Sequence, residues 1–187
     1  MNIENLVIKL SNDPFNSDLN FDLAEEYLSL NQTASAVSFY LRCAEYSGEA
    51  NRKAYIALIR MAQCFEDQQG REYSVSNCLY QALAYDDTNP EAYWKLSQYH
   101  EKAGNWQEAY TFAVLGQGWA SQPADDLSEK VGYYGSYCLS FQRYIAAWWI
   151  GRRDESIAGL KDLQASNVNK MYKDAIDYNL EKIDVVL

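Results

Sequence analysis

One spacing recurs along this chain, and it restricts the fold to stacked helical hairpins. Ser97 and Ala109 stand 12 residues apart, and so do Ala24 and Ala36. His100 and Ala109 are 9 apart, as are Tyr27 and Ala36. The stretch 90–116 shows what the spacing encodes. Pro90 suits a first helical turn, where its missing N–H has no partner to lose, and Asn89 can cap that turn. Ala92, Leu96, Tyr99 and His100 share one helical face. Gly104 ends the helix without a Cβ penalty. Ala109, Ala113 and Gly116 then line a second helix with small groups, so that another helix can come close. The five-residue step from Gly104 to Ala109 recurs from Gly70 to Val75 and from Gly151 to Ser156, where serine replaces the usual alanine. A repeat of this kind predicts an all-α chain, an α-α superhelix in a single domain, 1–187.

In chain order, residues 1–16 read as a short amphipathic cap, with Ile3, Leu6, Val7 and Leu10 at helical spacing. Three hairpins occupy 17–118: the first about 17–46, the second about 51–85, the third around Gly104. Residues 118–126, with Pro123, read as a loop. One long helix is expected over 127–150, through Gly132 and Gly135, followed by a turn at Gly151 and a helix carrying Ile157, Leu160 and Leu163. This makes 119–165 a divergent fourth hairpin. The segment 166–187 places Met171, Ala175, Ile176, Leu180 and Ile183 on one face and reads as a capping helix over the last repeat.

Trp94, Leu96 and Ser97 early in the third hairpin, Gly104 at its turn and Ala109 after it resemble the tetratricopeptide repeat. The resemblance covers about residues 17–163. Two stretches, LYQALAYDDTNPEAYWKLSQYHEKAGNWQEAY and RYIAAWWIGRRDES, are similar to the repeat module attached to some family-2 glycosyltransferases of bacteria and large phages. That resemblance implies a glycosylation-associated setting. The family's sugar-transfer domain has no counterpart here, so it implies no catalytic residue.

Charge and composition narrow the function. The formal net charge is −10, with 26 acidic against 16 basic residues and no basic track. Nucleic acid and anionic membrane are therefore not expected partners. The apolar run 144–150 is too short to span a bilayer, and the residues after Met1 are not expected to act as a signal peptide. Cys43, Cys64, Cys78 and Cys138 lack metal-type spacing, and His100 is the only histidine. The cysteines read as core hydrophobes in a reducing, cytoplasmic setting, with no metal and no cofactor. Asp86 with Asp87, and Asp125 with Asp126, could suggest a divalent-ion site, but the first pair follows a helix and precedes Asn89 and Pro90, which favours turn solvation. Nothing here makes an acid–base pair or a phosphate loop, and the chain is expected not to be an enzyme.

An interaction scaffold is the expected class, with a protein or peptide partner. In a tetratricopeptide-like superhelix the first helix of each hairpin lines a concave groove, and the register turns Asp22, Glu25, Arg60, Gln63, Trp94, Lys95, Gln98, Arg143 and Tyr144 toward it. Trp94 would be an apolar anchor, with Arg60, Lys95 and Arg143 holding acidic or carbonyl groups. The modules of this family that bind chaperone C-terminal carboxylates use a clamp of Lys, Asn and Arg. Phe21 and Glu25 stand where its first repeat needs Lys and Asn, so the resemblance implies no such clamp. A second candidate is the stripe Tyr133, Tyr137, Phe141, Tyr144 and Trp148, which either fills space between helices or offers a stacking platform for a sugar ring or a peptide side chain.

Overall fold

Each hairpin turn closes on a residue in the left-handed region: Asn31 (φ 58°), Gly70 (73°), Gly104 (73°) and Gly151 (84°). Asparagine is the side chain that tolerates this region best, which is why the first turn manages without glycine. The amide after three of these residues reaches back five positions: Gln32 to Tyr27 (2.9 Å), Asn105 to His100 (2.8 Å) and Arg152 to Ala147 (2.9 Å). Carbonyls that the helix end would leave bare are thereby satisfied. Five residues beyond each left-handed residue lies a buried small side chain: Ala36, Val75, Ala109 or Ser156.

The computed structural model describes residues 3–48, 51–66, 68–121 and 123–186, excluding the side chains of 184–186. The extreme ends of the expected first and last segments, 1–2 and 187, lie outside the described residues. The described chain is all-helical: α1 (Ile3–Asn12), α2 (Ser17–Ser29), α3 (Thr33–Glu45), α4 (Arg52–Glu66), α5 (Glu72–Tyr85), α6 (Pro90–Lys102), α7 (Trp106–Gln117), α8 (Asp126–Lys130), α9 (Ser136–Trp149), α10 (Arg153–Ala165) and α11 (Lys170–Val186). No described helix is long and apolar enough to cross a membrane. The chain forms two compact units, Met1–Asp87 and Thr88–Leu187.

In the first unit α2 packs on α3, α3 on α4, and α4 on α5. Helix α4 is covered most completely: Ala54, Tyr55, Ile56, Ala57, Leu58 and Ile59 are all buried in succession. Helix α1 inserts Leu6 and Leu10 beside Leu23, with Tyr27 and Phe39 around them. Val7, expected on that apolar face, is exposed.

In the second unit α6 packs on α7, and α9 lies against α7, α6 and α10. The 12-residue spacing has a direct physical basis here. The buried Ser97 hydroxyl donates to the Ala109 carbonyl at 2.7 Å and ties the two helices together. The long helix expected over 127–150 is instead broken. Gly132 (φ 86°) and Gly135 (φ 135°) both take positive φ, and the chain turns between α8 and α9. The turn drives Val131 and Tyr133 into the core. Asp125 starts α8 as a reciprocal cap: its Oδ1 accepts from the Ser128 amide at 2.6 Å, and Ser128 Oγ accepts from the Asp125 amide at 3.3 Å. On α11 the buried face is Tyr172, Ile176, Leu180 and Ile183, and Met171 points out, 60% exposed. Tyr172, one position on, takes its place beside Tyr137 and Phe141.

Candidate protein-binding faces

Asp22, Glu25, Arg60 and Gln63 lie in the first unit, where α2 and α4 bring them together. Lys53 Nζ lies 3.1 Å from Asp22 Oδ1 and 3.8 Å from Asp18 Oδ1. Arg60 Nε donates to Glu25 Oε1 at 2.9 Å and to the Tyr40 hydroxyl at 3.2 Å, and its Nη1 donates to Gln63 Oε1 at 3.1 Å. Tyr40, rooted in the core on α3, donates its hydroxyl to Glu25. Burial pushes the Tyr40 phenol far above its ordinary value despite the nearby Arg60 charge, so it stays a donor. Gln63 also lines a cleft of about 260 Å³ with Leu28, Asn31, Thr33, Cys64 and Gln68. Burial raises the Cys64 thiol, which keeps it a thiol and unreactive.

In the second unit Arg143 forms a separate network. Its Nε donates to Glu155 Oε1 at 2.7 Å and its Nη1 to Gln117 Oε1 at 3.0 Å. The Tyr110 hydroxyl donates to Glu155 at 3.0 Å and accepts from Arg152 at 2.9 Å. Burial pushes the Glu155 carboxyl up, but the hydrogen bonds from Arg143 and Tyr110 and the Arg143 and Arg152 charges outweigh it. The net effect holds Glu155 below its ordinary 4.5. A depressed folded value contributes stability that is present above 4.5 and is lost as pH falls through the folded value. Urea midpoints measured between pH 6 and pH 3 should therefore drop on acidification, and Glu155→Gln should remove part of that drop. An acid slope identical in the two proteins would show that Glu155 gains nothing from this network.

Three expected groove or platform residues are corrected by their burial. Trp94 is 4% exposed, with its ring edge-on to Tyr133 at 5.8 Å, and cannot serve as an anchor. Lys95 is 8% exposed, its ammonium 4.9 Å above the Trp94 ring, and does not face solvent. Tyr133 is 1% exposed. Gln98 is half-buried on α6. The aromatic stripe fills space, the blander of its two readings. Tyr137 and Phe141 meet Tyr172 edge-on at 5.1 and 5.3 Å. Tyr144 and Trp148 pack on the cluster of Leu160, Ile176 and Leu180, with Tyr144 lying against Gly159. Helices α10 and α11 cover the platform a glycan would need.

No family model matches the sequence, and no curated protein matches it. Solved structures do match. A crystal structure of MamA is similar at 16% identity and a TM-score of 0.62, over 85% of this chain and 82% of that one. A second MamA structure gives 16% and 0.61, over 87% and 79%. PilW, titled a widely conserved type IV pilus biogenesis factor, gives 18% and 0.62, over 87% of this chain and 68% of its own. Likeness at such low identity bears on the fold alone. The fold is tetratricopeptide-like.

Within this tetratricopeptide-like fold, some site residues were absent from the sequence reading. Lys53 pairs with Asp22, Tyr40 completes the Arg60–Glu25 network, and Glu155, Tyr110 and Gln117 complete the one around Arg143. Glu155 had a usable signal, because it stands 12 residues after Arg143, the same step that joins Ser97 to Ala109. Tyr40 had none, since its reach to Glu25 depends on how α3 lies against α2.

Proposed function

We propose that this chain is a non-catalytic protein-interaction scaffold that takes a segment of a partner protein on the polar face of α2 and α4. One observation carries the reading: on α2 and α4, Asp22 is bonded to Lys53, and Arg60 is bonded to both Glu25 and Gln63, so each of these polar side chains is held in place. Ordering costs on binding are correspondingly small. The face holds both signs of charge, which suits charge-assisted hydrogen bonds to a peptide. The cleft beside Gln63 gives such a segment a place for a side chain.

Capture of a partner from the native host, followed by titration of the identified partner, tests this. Binding should weaken with added salt. Lys53→Glu combined with Gln63→Ala should weaken it about tenfold or more, equivalent to about 1.4 kcal/mol. Both positions are half-buried and neither belongs to the Arg60–Glu25 ion pair, so circular dichroism should be unchanged. Unaltered affinity in the folded double variant rejects this face.

The finer reading, an accessory to a glycosylation system, rests on the resemblance of 79–110 and 143–156 to glycosyltransferase-linked repeats. Identity of the captured partner decides it. A sugar-transfer enzyme or its protein acceptor supports the accessory role, and an unrelated partner removes it. Glycan stacking on the stripe from Tyr133 to Trp148 is not proposed, because that stripe is packed.

A further inference from the structure

Helix α7 is apolar on the side that the fold buries and on the side that it leaves open. Ala109, Tyr110, Ala113 and Gly116 face inward. On the outside Thr111 and Gly118 are exposed, and so are Val114 (38%), Leu115 (52%) and Trp119 (43%). Residues 109–124 contain no charged side chain, in a chain with 26 acidic and 16 basic residues. The second helices of the other hairpins provide an internal control. Five and six positions after the buried residue that seats each of them, α3 has Leu41 and Arg42, α5 has Tyr80 and Gln81, and α10 has Lys161 and Asp162, all exposed. Each of those pairs includes a strongly polar side chain that keeps the outer face in water. In α7 the same two positions are Val114 and Leu115. A helix apolar all round is normally covered all round, so this face calls for a cover.

Charge selects what covers it. Two copies of a chain with a net charge of −10 repel each other, and they meet at least cost where charge is absent. A different protein drawn to an acidic chain is selected through complementary charge, and this face offers none. We propose that the outer face of α7 is the contact between two copies of this chain, packed antiparallel about a twofold axis. An axis between Val114 and Leu115 sets Val114 of one copy opposite Leu115 of the other, and Thr111 opposite Gly118, so symmetry repeats every contact. Thr111 and Gly118 are small enough for the helix axes to come within about 8–10 Å. Glu108, exposed in the first turn, is the charge on α7 closest to this face. Antiparallel packing places the two Glu108 side chains about 13 positions, or about 20 Å, apart along the axis, beyond the screening length of about 8 Å at physiological salt. Parallel packing would set them side by side. A helix of 12 residues is about 18 Å long, so the contact falls well short of the roughly 800 Å² per partner in a stable complex. The dimer is accordingly weak, with a Kd of about 10–100 µM.

This contact uses none of the α2 or α4 residues, and salt separates the two. Screening strengthens association between like-charged copies, whereas it weakens charge-assisted capture on α2 and α4. Sedimentation equilibrium of the full chain from about 1 to 500 µM reads the association directly. A monomer–dimer equilibrium is expected that tightens as salt rises from about 0.05 to 0.5 M. Val114→Glu and Leu115→Lys should each weaken it about tenfold or more, because each carries a charge into an apolar contact. Both positions are exposed, so circular dichroism should be unchanged. An equimolar mixture of the two variants should restore the dimer. Antiparallel pairing then sets one carboxylate opposite one ammonium and leaves Leu115 opposite Val114 across the axis. Leu41→Glu, at the equivalent exposed position of α3, should change nothing. A chain that stays monomeric to about 500 µM at high salt overturns the proposal, as does a dimer that neither α7 variant weakens. A mixture that stays monomeric while the parent dimerises overturns the antiparallel pairing. A monomeric chain whose α7 variants lose a captured partner assigns the face to that partner instead, and equally overturns the proposal.

Discussion

Replacing Trp94 with alanine is expected to cost about 3–5 kcal/mol of stability, the range for deleting a buried aromatic ring. The indole is 4% exposed, lies 5.8 Å from the Tyr133 ring, and is shielded by the turn at Gly132, where an added Cβ would come within 3.4 Å of it. Removal strips packing from Tyr133, whose own hydroxyl is already buried without a partner. The Lys95 ammonium also loses the ring face beneath it. Urea unfolding should show the loss in the transition of the Thr88–Leu187 unit, and Trp94→Phe should recover part of it. The groove reading from sequence makes the opposite forecast: a stable protein that loses its partner. A variant within about 1 kcal/mol of the parent, as is usual for surface substitutions, would restore Trp94 as an anchor.

That contrast shows where sequence is legible and where it stops. Hairpins were readable because they are local. A left-handed residue ends one helix, five positions later a small side chain seats the next, and both signals lie within a dozen residues. Even the exception follows local rules, since Asn31 replaces glycine in the first turn at tolerable cost. The surroundings of α6 were not readable from α6. Its first two turns are buried nearly all round, including Glu91, Trp94 and Lys95. The cover comes from α8 and the turn after it: Ser128 donates to Glu91 at 2.6 Å, and Tyr133 meets Trp94. These partners lie 37 and 39 positions downstream. The expected unbroken helix over 127–150 hid them, because apolar periodicity continues across Gly132 and Gly135 while their positive φ leaves no periodic trace. The α2 and α4 face was legible for a different reason. Glu25, Arg60 and Gln63 are half-buried and bonded to one another through Arg60, and Asp22 lies one turn before Glu25 on α2, so helical register alone indicates that Asp22 and Glu25 share a side of α2, and Arg60 and Gln63 a side of α4.

Gly116→Ala is expected to destabilise the chain although alanine is the better helix former by about 1 kcal/mol. Gly116 sits in α7, and a Cβ there would lie 2.6 Å from the Tyr93 Cβ on α6 and 2.9 Å from a Leu139 methyl on α9. A methyl group can swing aside, but a Cβ is bonded to the backbone and cannot. The helices must separate, and overpacking of this kind costs about 1–3 kcal/mol, occasionally more. Gly159 in α10 offers a useful contrast. Its added Cβ would lie 2.3 Å from the Tyr144 ring, a side chain on the facing helix. Gly159→Ala should therefore be partly rescued when Tyr144→Ala removes the obstacle, with a coupling energy of about 0.5–3 kcal/mol in a double-mutant cycle. Leu139→Ala should not rescue Gly116→Ala, because the Tyr93 Cβ remains. Gly48 provides the baseline, since a Cβ there meets nothing within 4 Å and its φ lies outside the left-handed range. Should Gly116→Ala match Gly48→Ala in urea midpoint, α6 and α7 do not approach as closely as the small residues at 109, 113 and 116 require.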